Sequence, residues 1–211
     1  MNKKKIAILG LGYVGLPLAV NLSPYFDVIG FDISNIRVKE LKSGIDKTLE
    51  ISKQNLKKAL KKRLIITDKV KELNNCNVFI ATVPTPIDKR KKPDLVPLKN
   101  VCKLIARVIK KGDIVVFEST VFPGVTEDIC AKELDRNKKS LKSGTDFFLG
   151  YSPERVNPGD KKHTIDKIDK VVSGQNSSVE KVLLNIYSKL TKGKIHLAKN
   201  IKVAEASKVI E

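Results

Sequence analysis

The chain has 211 residues, of which 41% are hydrophobic and 30% charged; that is enough apolar material for a sizeable core and excludes a disordered or low-complexity chain. The length suits one large domain, or one domain and the beginning of another. The net charge of +18 comes from 41 basic against 23 acidic side chains, and 35 of the 41 are Lys scattered along the whole chain. Base recognition favours Arg and single-strand binding favours aromatic platforms, whereas aromatics here are 5% with no Trp. The charge therefore reads as a lysine-rich solvated surface and not as a nucleic-acid interface, although a positive field can help gather an anionic substrate.

The elements follow in chain order. A short apolar run at 5–9 ends in glycine, as a parallel strand buried on both faces does. Gly10-Leu11-Gly12-Tyr13-Val14-Gly15 comes next, and then a helical stretch carrying Leu16, Leu18, Ala19 and Leu22. A second strand at 27–32 ends in Asp32. A Lys-rich stretch over 35–63 is helical with a break near 44–46, and a short strand follows at 64–66. Residues 77–81 form a buried strand, and Thr82-Val83-Pro84-Thr85-Pro86 is an irregular loop at its exit. The apolar spacing over 98–109 predicts a helix, 113–117 a strand, 125–134 a helix, and 147–150 and 170–174 two more strands. A helix at 179–190 and a strand at 194–197 complete the alternation. A last helical pattern starts near Ile201 and is still running at Glu211, so the 211 residues are expected to be part of something longer.

Short buried strands alternating with amphipathic helices predict a doubly wound α/β fold with a parallel sheet and helices on both faces. Ligands of such sheets sit outside the carboxyl ends of the strands. The residues at 10–15, 32, 82–86, 119–120 and 151–159 then share one crevice. No apolar run reaches the ~20 residues of a membrane span, and the stretch after Lys5 is broken by Gly10 too early for a secretory leader, so a cytoplasmic protein is expected.

Gly10-x-Gly12-x-x-Gly15 is a weak motif alone, but here a strand precedes it, a helix follows, and an acid closes the second strand. Gly10 permits the tight turn, Gly12 lets a pyrophosphate approach the backbone, and Gly15 allows close packing of helix on sheet. Asp32, 22 residues after Gly10, can accept hydrogen bonds from both ribose hydroxyls and would repel a 2′-phosphate, which favours NAD over NADP. Arg37 is the one nearby residue that could accommodate such a phosphate. Pro84 and Pro86 stiffen a loop able to close over the cofactor. Ser119 and Thr120 offer two hydroxyls at a strand exit, with helix capping as the competing role.

Tyr151-Ser152-Pro153-Glu154-Arg155-Val156-Asn157-Pro158-Gly159 is a rigid polar loop that can present Glu154 as a proton acceptor; a surface salt bridge is the alternative. His163 reads as a solvated loop residue, and His196 invites no role. The three cysteines, Cys76, Cys102 and Cys130, have no CxxC spacing, which argues against a disulfide framework or a structural zinc site, and none looks like a nucleophile. No metal site is expected.

Taken together, IAILGLGYVGLPLA at 6–19, GFD at 30–32, ATVPTP at 81–86, DIVVFESTVFPGVTE at 113–127, YSPERVNPG at 151–159 and AEASKVIE at 204–211 resemble the nucleotide-sugar 6-dehydrogenases, the UDP-glucose/GDP-mannose dehydrogenase family. The SPERVNPG form followed by His163-Thr164-Ile165 is most similar to members acting on UDP-N-acetylhexosamines. The resemblance implies a Rossmann-like NAD-binding domain over 1–198 and the start of a long central, dimer-forming helix over 199–211. It also implies oxidation of the sugar C6 alcohol to a carboxylate with two NAD+, through a thiohemiacetal and a thioester on a cysteine, and a homodimeric full-length protein.

By position, the resemblance makes Glu154 the general base or water-activating acid, Thr120 the holder of a water near C6, and Lys208 the stabiliser of the developing oxyanion. It places the cofactor against Gly10, Gly12, Tyr13, Val14, Gly15, Asp32, Arg37, Thr82, Pro84, Thr85, Ser119, Thr120 and Glu154. The UDP-sugar falls against Glu154, Arg155, Val156, Asn157 and Lys208. The family's cysteine motif of the GxCxPKD type is absent from the 211 residues, so this chain alone is not expected to complete the reaction. A single-oxidation dehydrogenase of the hydroxyacid type, or a non-catalytic dinucleotide-binding module, would share the glycine motif but gives no reason for SPERVNPG or AEASK.

Overall fold

A computed structural model describes residues 4–155 and 165–210. Eight strands form one sheet in the order β3-β2-β1-β4-β5-β6-β7-β8. They are β1 (Lys5–Leu9), β2 (Asp27–Phe31), β3 (Leu64–Thr67), β4 (Val78–Ala81), β5 (Ile114–Phe117), β6 (Phe148–Tyr151), β7 (Lys170–Gly174) and β8 (Ile195–Leu197). The helices are α1 (Gly15–Leu22), α2 (Asn35–Lys42), α3 (Lys53–Leu60), α4 (Val96–Ala106), α5 (Ala131–Asn137), α6 (Ser177–Tyr187) and α7 (Ile201–Ile210). The chain order reverses between β1 and β4, which opens a crevice at the carboxyl ends of those two strands.

Strand residues alternate between two apolar layers. Ile6, Ile8, Val28, Ile80 and Val116 pack with α1, α2, α3 and α6, whereas Ala7, Leu9, Ile29, Phe79, Val115 and Leu149 pack with α4, α5 and α7. A sheet covered on both faces needs apolar residues at both parities, which is why its strands read as unbroken hydrophobic runs.

Six strands are parallel, as the alternation predicts, but β7 runs antiparallel to β6 and β8 runs parallel to β7. Parallel neighbours need a crossover, and no helix occurs among the described residues between β6 and β7, so the chain turns back instead. The expected helix at 125–134 is a π-helical turn over Val125–Cys130 that continues as α5. A 3₁₀ turn at Val70–Asn75 went unseen in the sequence because it carries a single buried apolar residue, Leu73.

α7 is pinned to the β5 exit by a buried carboxylate. Glu205 accepts from the backbone N–H groups of Gly124 (2.5 Å) and Thr126 (2.8 Å), where Gly124 has φ 100°. The two donors belong to the start of the π turn and have no helical partner of their own. Glu205→Ala is therefore expected to destabilise the fold by about 3 kcal/mol or more in urea unfolding, since bonds to a charged acceptor contribute about 1.5–3 kcal/mol each. Glu205→Gln, which keeps one acceptor oxygen, should lose less; equal stability of Glu205→Ala and wild type would contradict this role.

Candidate active site

The glycine turn is shaped by what a side chain would strike. A Cβ on Gly15 would run into the Gly10 carbonyl oxygen and Thr82 Oγ1, and Gly10 itself has φ 97°. A Cβ on Gly12, by contrast, meets nothing within 4 Å. Gly15 is thus required by the fold, while Gly12 faces open space. α1 starts from Val14 with no side-chain cap and no acid in its first turn, so its N-terminal dipole faces the crevice without a protein anion on it.

Asp32 follows β2 directly and supports the turn while facing the crevice. Its Oδ2 accepts from Leu11 N (2.9 Å) and its Oδ1 from Ser34 N (2.8 Å). Each oxygen keeps a further lone pair, so the carboxylate can still accept from ribose hydroxyls. Arg37 lies beneath the turn: Nε donates to the Leu11 carbonyl (2.9 Å) and Nη2 to Asp46 Oδ1 (2.8 Å). Burial works to raise the Asp46 carboxyl, but hydrogen bonds from Thr48, Ile51 and Arg37 together hold it below the ordinary carboxylate range. Nε and Nη2 are engaged in this clamp, while Nη1 is buried and meets no hydrogen-bond partner among the described residues.

Three hydroxyls singled out in the sequence brace loops. Thr82 donates to the carbonyls of Leu9 (3.1 Å) and Gly10 (2.7 Å), Thr85 to Thr120 (2.6 Å), and Ser119 to Val83 (2.5 Å). They tie the glycine turn, the 82–86 loop and the β5 exit into one rim. Thr120 is exposed on that rim.

Two cavities meet at Val83 and Pro84. One, of about 360 Å³, is lined by Gly10, Phe31, Asp32, Ile33 and Leu104 beyond the β2 exit. The other, of about 440 Å³, is lined by Gly12, Tyr13, Val14, Thr82, Thr85, Glu118, Ser119, Thr120 and Glu154. A continuous path therefore leads from Asp32 over Gly12 to Glu154, with Tyr13 half-exposed beside it. Arg155 is half-buried next to Glu154. Lys208 is half-buried on α7, three residues past the Glu205 clamp, and does not line either cavity. Val156, Asn157, Pro158, Gly159, His163 and Glu211 lie outside the described residues.

At the inner end stands a cluster that motif reading did not single out. Lys170, fully buried at the start of β7, places Nζ 3.2 Å from Glu154 Oε2, and 3.4 Å from both Glu118 Oε2 and the Pro153 carbonyl. Tyr187 on α6 donates to Glu118 Oε1 (2.5 Å), and its ring lies 5.3 Å from the Lys170 ammonium. Burial would push that ammonium down, but the Glu118 and Glu154 carboxylates overcome it and hold Lys170 above the ordinary lysine value. Burial pushes Glu118 up to about 7, helped by the Glu154 charge and opposed by Lys170 and Tyr187. The available signal was a lysine opening an otherwise apolar strand, Lys170-Val171-Val172, and a glutamate closing another, Phe117-Glu118.

All three cysteines are buried and free. Burial pushes the Cys76 thiol up to about 11, and Cys102 is raised by the Cys130 thiol beside it and by burial. Thiols so protected are not nucleophiles at neutral pH. No metal-ligand cluster occurs among the described residues, and no helix there is long and apolar enough to cross a membrane.

The raised Glu118 carboxyl has a stability signature. The folded chain keeps this proton to about pH 7, while an unfolded glutamate releases it near 4.5, so the folded state binds more protons across that window. Its contribution to stability is present below about pH 4.5 and lost as pH rises towards 7, with a slope of at most about 1.4 kcal/mol per pH unit. Glu118→Gln should remove that decline in pH-dependent thermal unfolding; an unchanged slope would contradict the assignment.

Residues 4–191 match the UDP-glucose/GDP-mannose dehydrogenase family, NAD binding domain. Over all 211 residues the chain is 49% identical to a UDP-N-acetyl-D-glucosamine 6-dehydrogenase of Pseudomonas aeruginosa and 44% identical to one of Salmonella typhi. It spans 49% of the length of each, about half of the curated relatives it matches. Its fold superposes on a UDP-D-ManNAc dehydrogenase from Pyrococcus horikoshii with a TM-score of 0.90 and 34% identity, covering 98% of this chain and 49% of that one. A ternary complex of GDP-mannose dehydrogenase from Pseudomonas aeruginosa gives 0.89 at 28% identity, covering 97% and 48%. With the glycine turn, the uncapped helix and Asp32 in the places such a domain requires, the chain belongs to the UDP-glucose/GDP-mannose dehydrogenase family and carries its NAD-binding domain.

Proposed function

We propose that this chain forms the cofactor-binding part of an NAD-dependent UDP-sugar 6-dehydrogenase whose substrate is a UDP-N-acetylhexosamine. The carrying observation is the crevice that runs from Asp32, over the open face of Gly12, to the buried carboxyl of Glu154. The relatives named for UDP-N-acetyl-D-glucosamine support the sugar class. Residues 1–198 form the NAD-binding domain, and 199–211 begin the linking helix. Val203, Val209 and Ile210 leave apolar surface exposed on α7, which suits the pairing of two such helices in a homodimer.

In this reading Asp32 accepts from the adenosine ribose, and the amides of the glycine turn and the start of α1 meet the pyrophosphate. Bound NAD+ supplies the hydride acceptor. Glu154 takes the proton of the C6 hydroxyl, becoming a neutral carboxylic acid, at the inner end of the crevice where its side chain is buried. Thr120 holds a water at the rim. Arg155, with Val156 and Asn157, contacts the sugar nucleotide, and Lys208 stabilises a developing oxyanion. The second oxidation needs an accessible nucleophilic thiol, and Cys76, Cys102 and Cys130 are all buried.

Calorimetric titration tests the cofactor assignment. Wild type is expected to bind NAD+ more tightly than NADP+, and Asp32→Ala to weaken NAD+ at least about tenfold, the equivalent of one or two lost hydrogen bonds. Gly12→Ala should leave thermal stability nearly unchanged while weakening NAD+, because its methyl enters ligand space and touches no protein atom. Unaltered NAD+ affinity in both variants would reject this crevice as the cofactor site. For the full-length protein, NADH formation with UDP-N-acetylhexosamines well above that with UDP-glucose is expected; no NADH with any UDP-sugar would reject the proposed activity.

A further inference from the structure

The Glu154 carboxyl is built into the fold on both oxygens. Oε1 accepts from the Arg155 backbone N–H (2.7 Å), and Oε2 faces the Lys170 ammonium at 3.2 Å. That ammonium is fully buried, and a second carboxyl, Glu118, stands 3.4 Å from it. Glu118 and Glu154 both line the 440 Å³ cavity, while Lys170 stands behind them. A sheet needing only stability would place an apolar residue at the start of β7, as at Val172. Replacing buried ion pairs by well-packed apolar groups is often neutral or stabilising. Two carboxyls sharing one ammonium beside the crevice call for a reason in the chemistry.

We infer that Lys170 is a positioning residue for Glu154: its ammonium fixes the carboxyl in one orientation at the inner end of the crevice and couples it to Glu118. The inference rests on the proposed role of Glu154 as proton acceptor. An ammonium at hydrogen-bond distance favours the carboxylate form of Glu154, the form able to take a proton. Glu118 competes for the same ammonium, and Tyr187 on the far side holds Glu118 by its own hydroxyl. Because burial keeps the Glu118 proton on up to about pH 7, the ammonium is left largely to Glu154 below that pH. Among the described residues, the other groups facing Glu154 include Tyr13 within the crevice, Glu50 and Asp166 across an adjoining 200 Å³ cavity, and Arg155 next to it in the chain.

The test is a carboxyl titration of this chain by ¹³C NMR on labelled glutamate. In Lys170→Met the Glu154 carboxyl is expected to titrate higher than in wild type by about 1–3 pH units, and in Lys170→Arg to return most of the way. In Glu118→Gln it should stay near the wild-type position below about pH 7, because Glu118 is already neutral there and glutamine mimics that form. Should Lys170→Met fail to fold, Lys170→Gln, which removes the charge but keeps a polar group, is expected to raise the Glu154 titration likewise. An unmoved Glu154 titration in a folded variant lacking the Lys170 charge overturns the inference. In the full-length protein, Lys170→Met should shift the acid limb of the kcat/KM profile for the UDP-sugar upward, with NAD+ affinity retained. A purely structural role would lower activity evenly at all pH values and would also overturn it. Failure of the wild-type protein to oxidise any UDP-sugar would strike the proposed function instead, and the titration would still decide the coupling.

Discussion

The absence of a side chain at Gly15 is the constraint on which the rest of the site depends. It lets the first turn of α1 close onto the Gly10 carbonyl and the Thr82 hydroxyl, contacts that any Cβ would destroy. That closeness sets the uncapped end of α1 against the switch between β1 and β4, where a negatively charged group can meet main-chain N–H groups. Asp32 and Arg37 then hold the turn from the other side, one through Leu11 N and one through the Leu11 carbonyl. The residues around the turn serve mainly to keep its backbone in place.

The same economy governs the rim. Thr82, Thr85 and Ser119 donate to carbonyls of neighbouring loops, so three strand exits are tied together. Short loops at the ends of parallel strands have few neighbours of their own, and side-chain donors replace the ladder that ends with the strand. Deeper in, the antiparallel turn of β7 brings Lys170 under the β5 and β6 exits. A further parallel crossover would have put a helix between them. The one departure from parallel order is therefore what assembles the buried charge cluster.

Much of this was legible in the sequence because it depends on local chemistry. The glycine spacing, the apolar strands and Asp32 at the end of β2 need only the identities of near neighbours, and the structure places them as the spacing predicts. Lys170 illustrates what was hidden: a lysine in a chain with 35 of them carries no mark of burial, and its partners lie 52 and 16 residues away. The direction of β7 was equally hidden, since apolar runs report burial and not orientation. The place of Thr82 and Ser119 at strand exits was legible, but their engagement with loop carbonyls was not, because hydroxyl direction is set by tertiary neighbours.

A structure of the chain with NAD+ bound tests the central claim most directly. The pyrophosphate is expected against the main chain of residues 10–15, the adenosine ribose on Asp32, and the nicotinamide at the Glu154 end of the crevice. A dinucleotide bound elsewhere, or a glycine turn left empty at saturating NAD+, would contradict it.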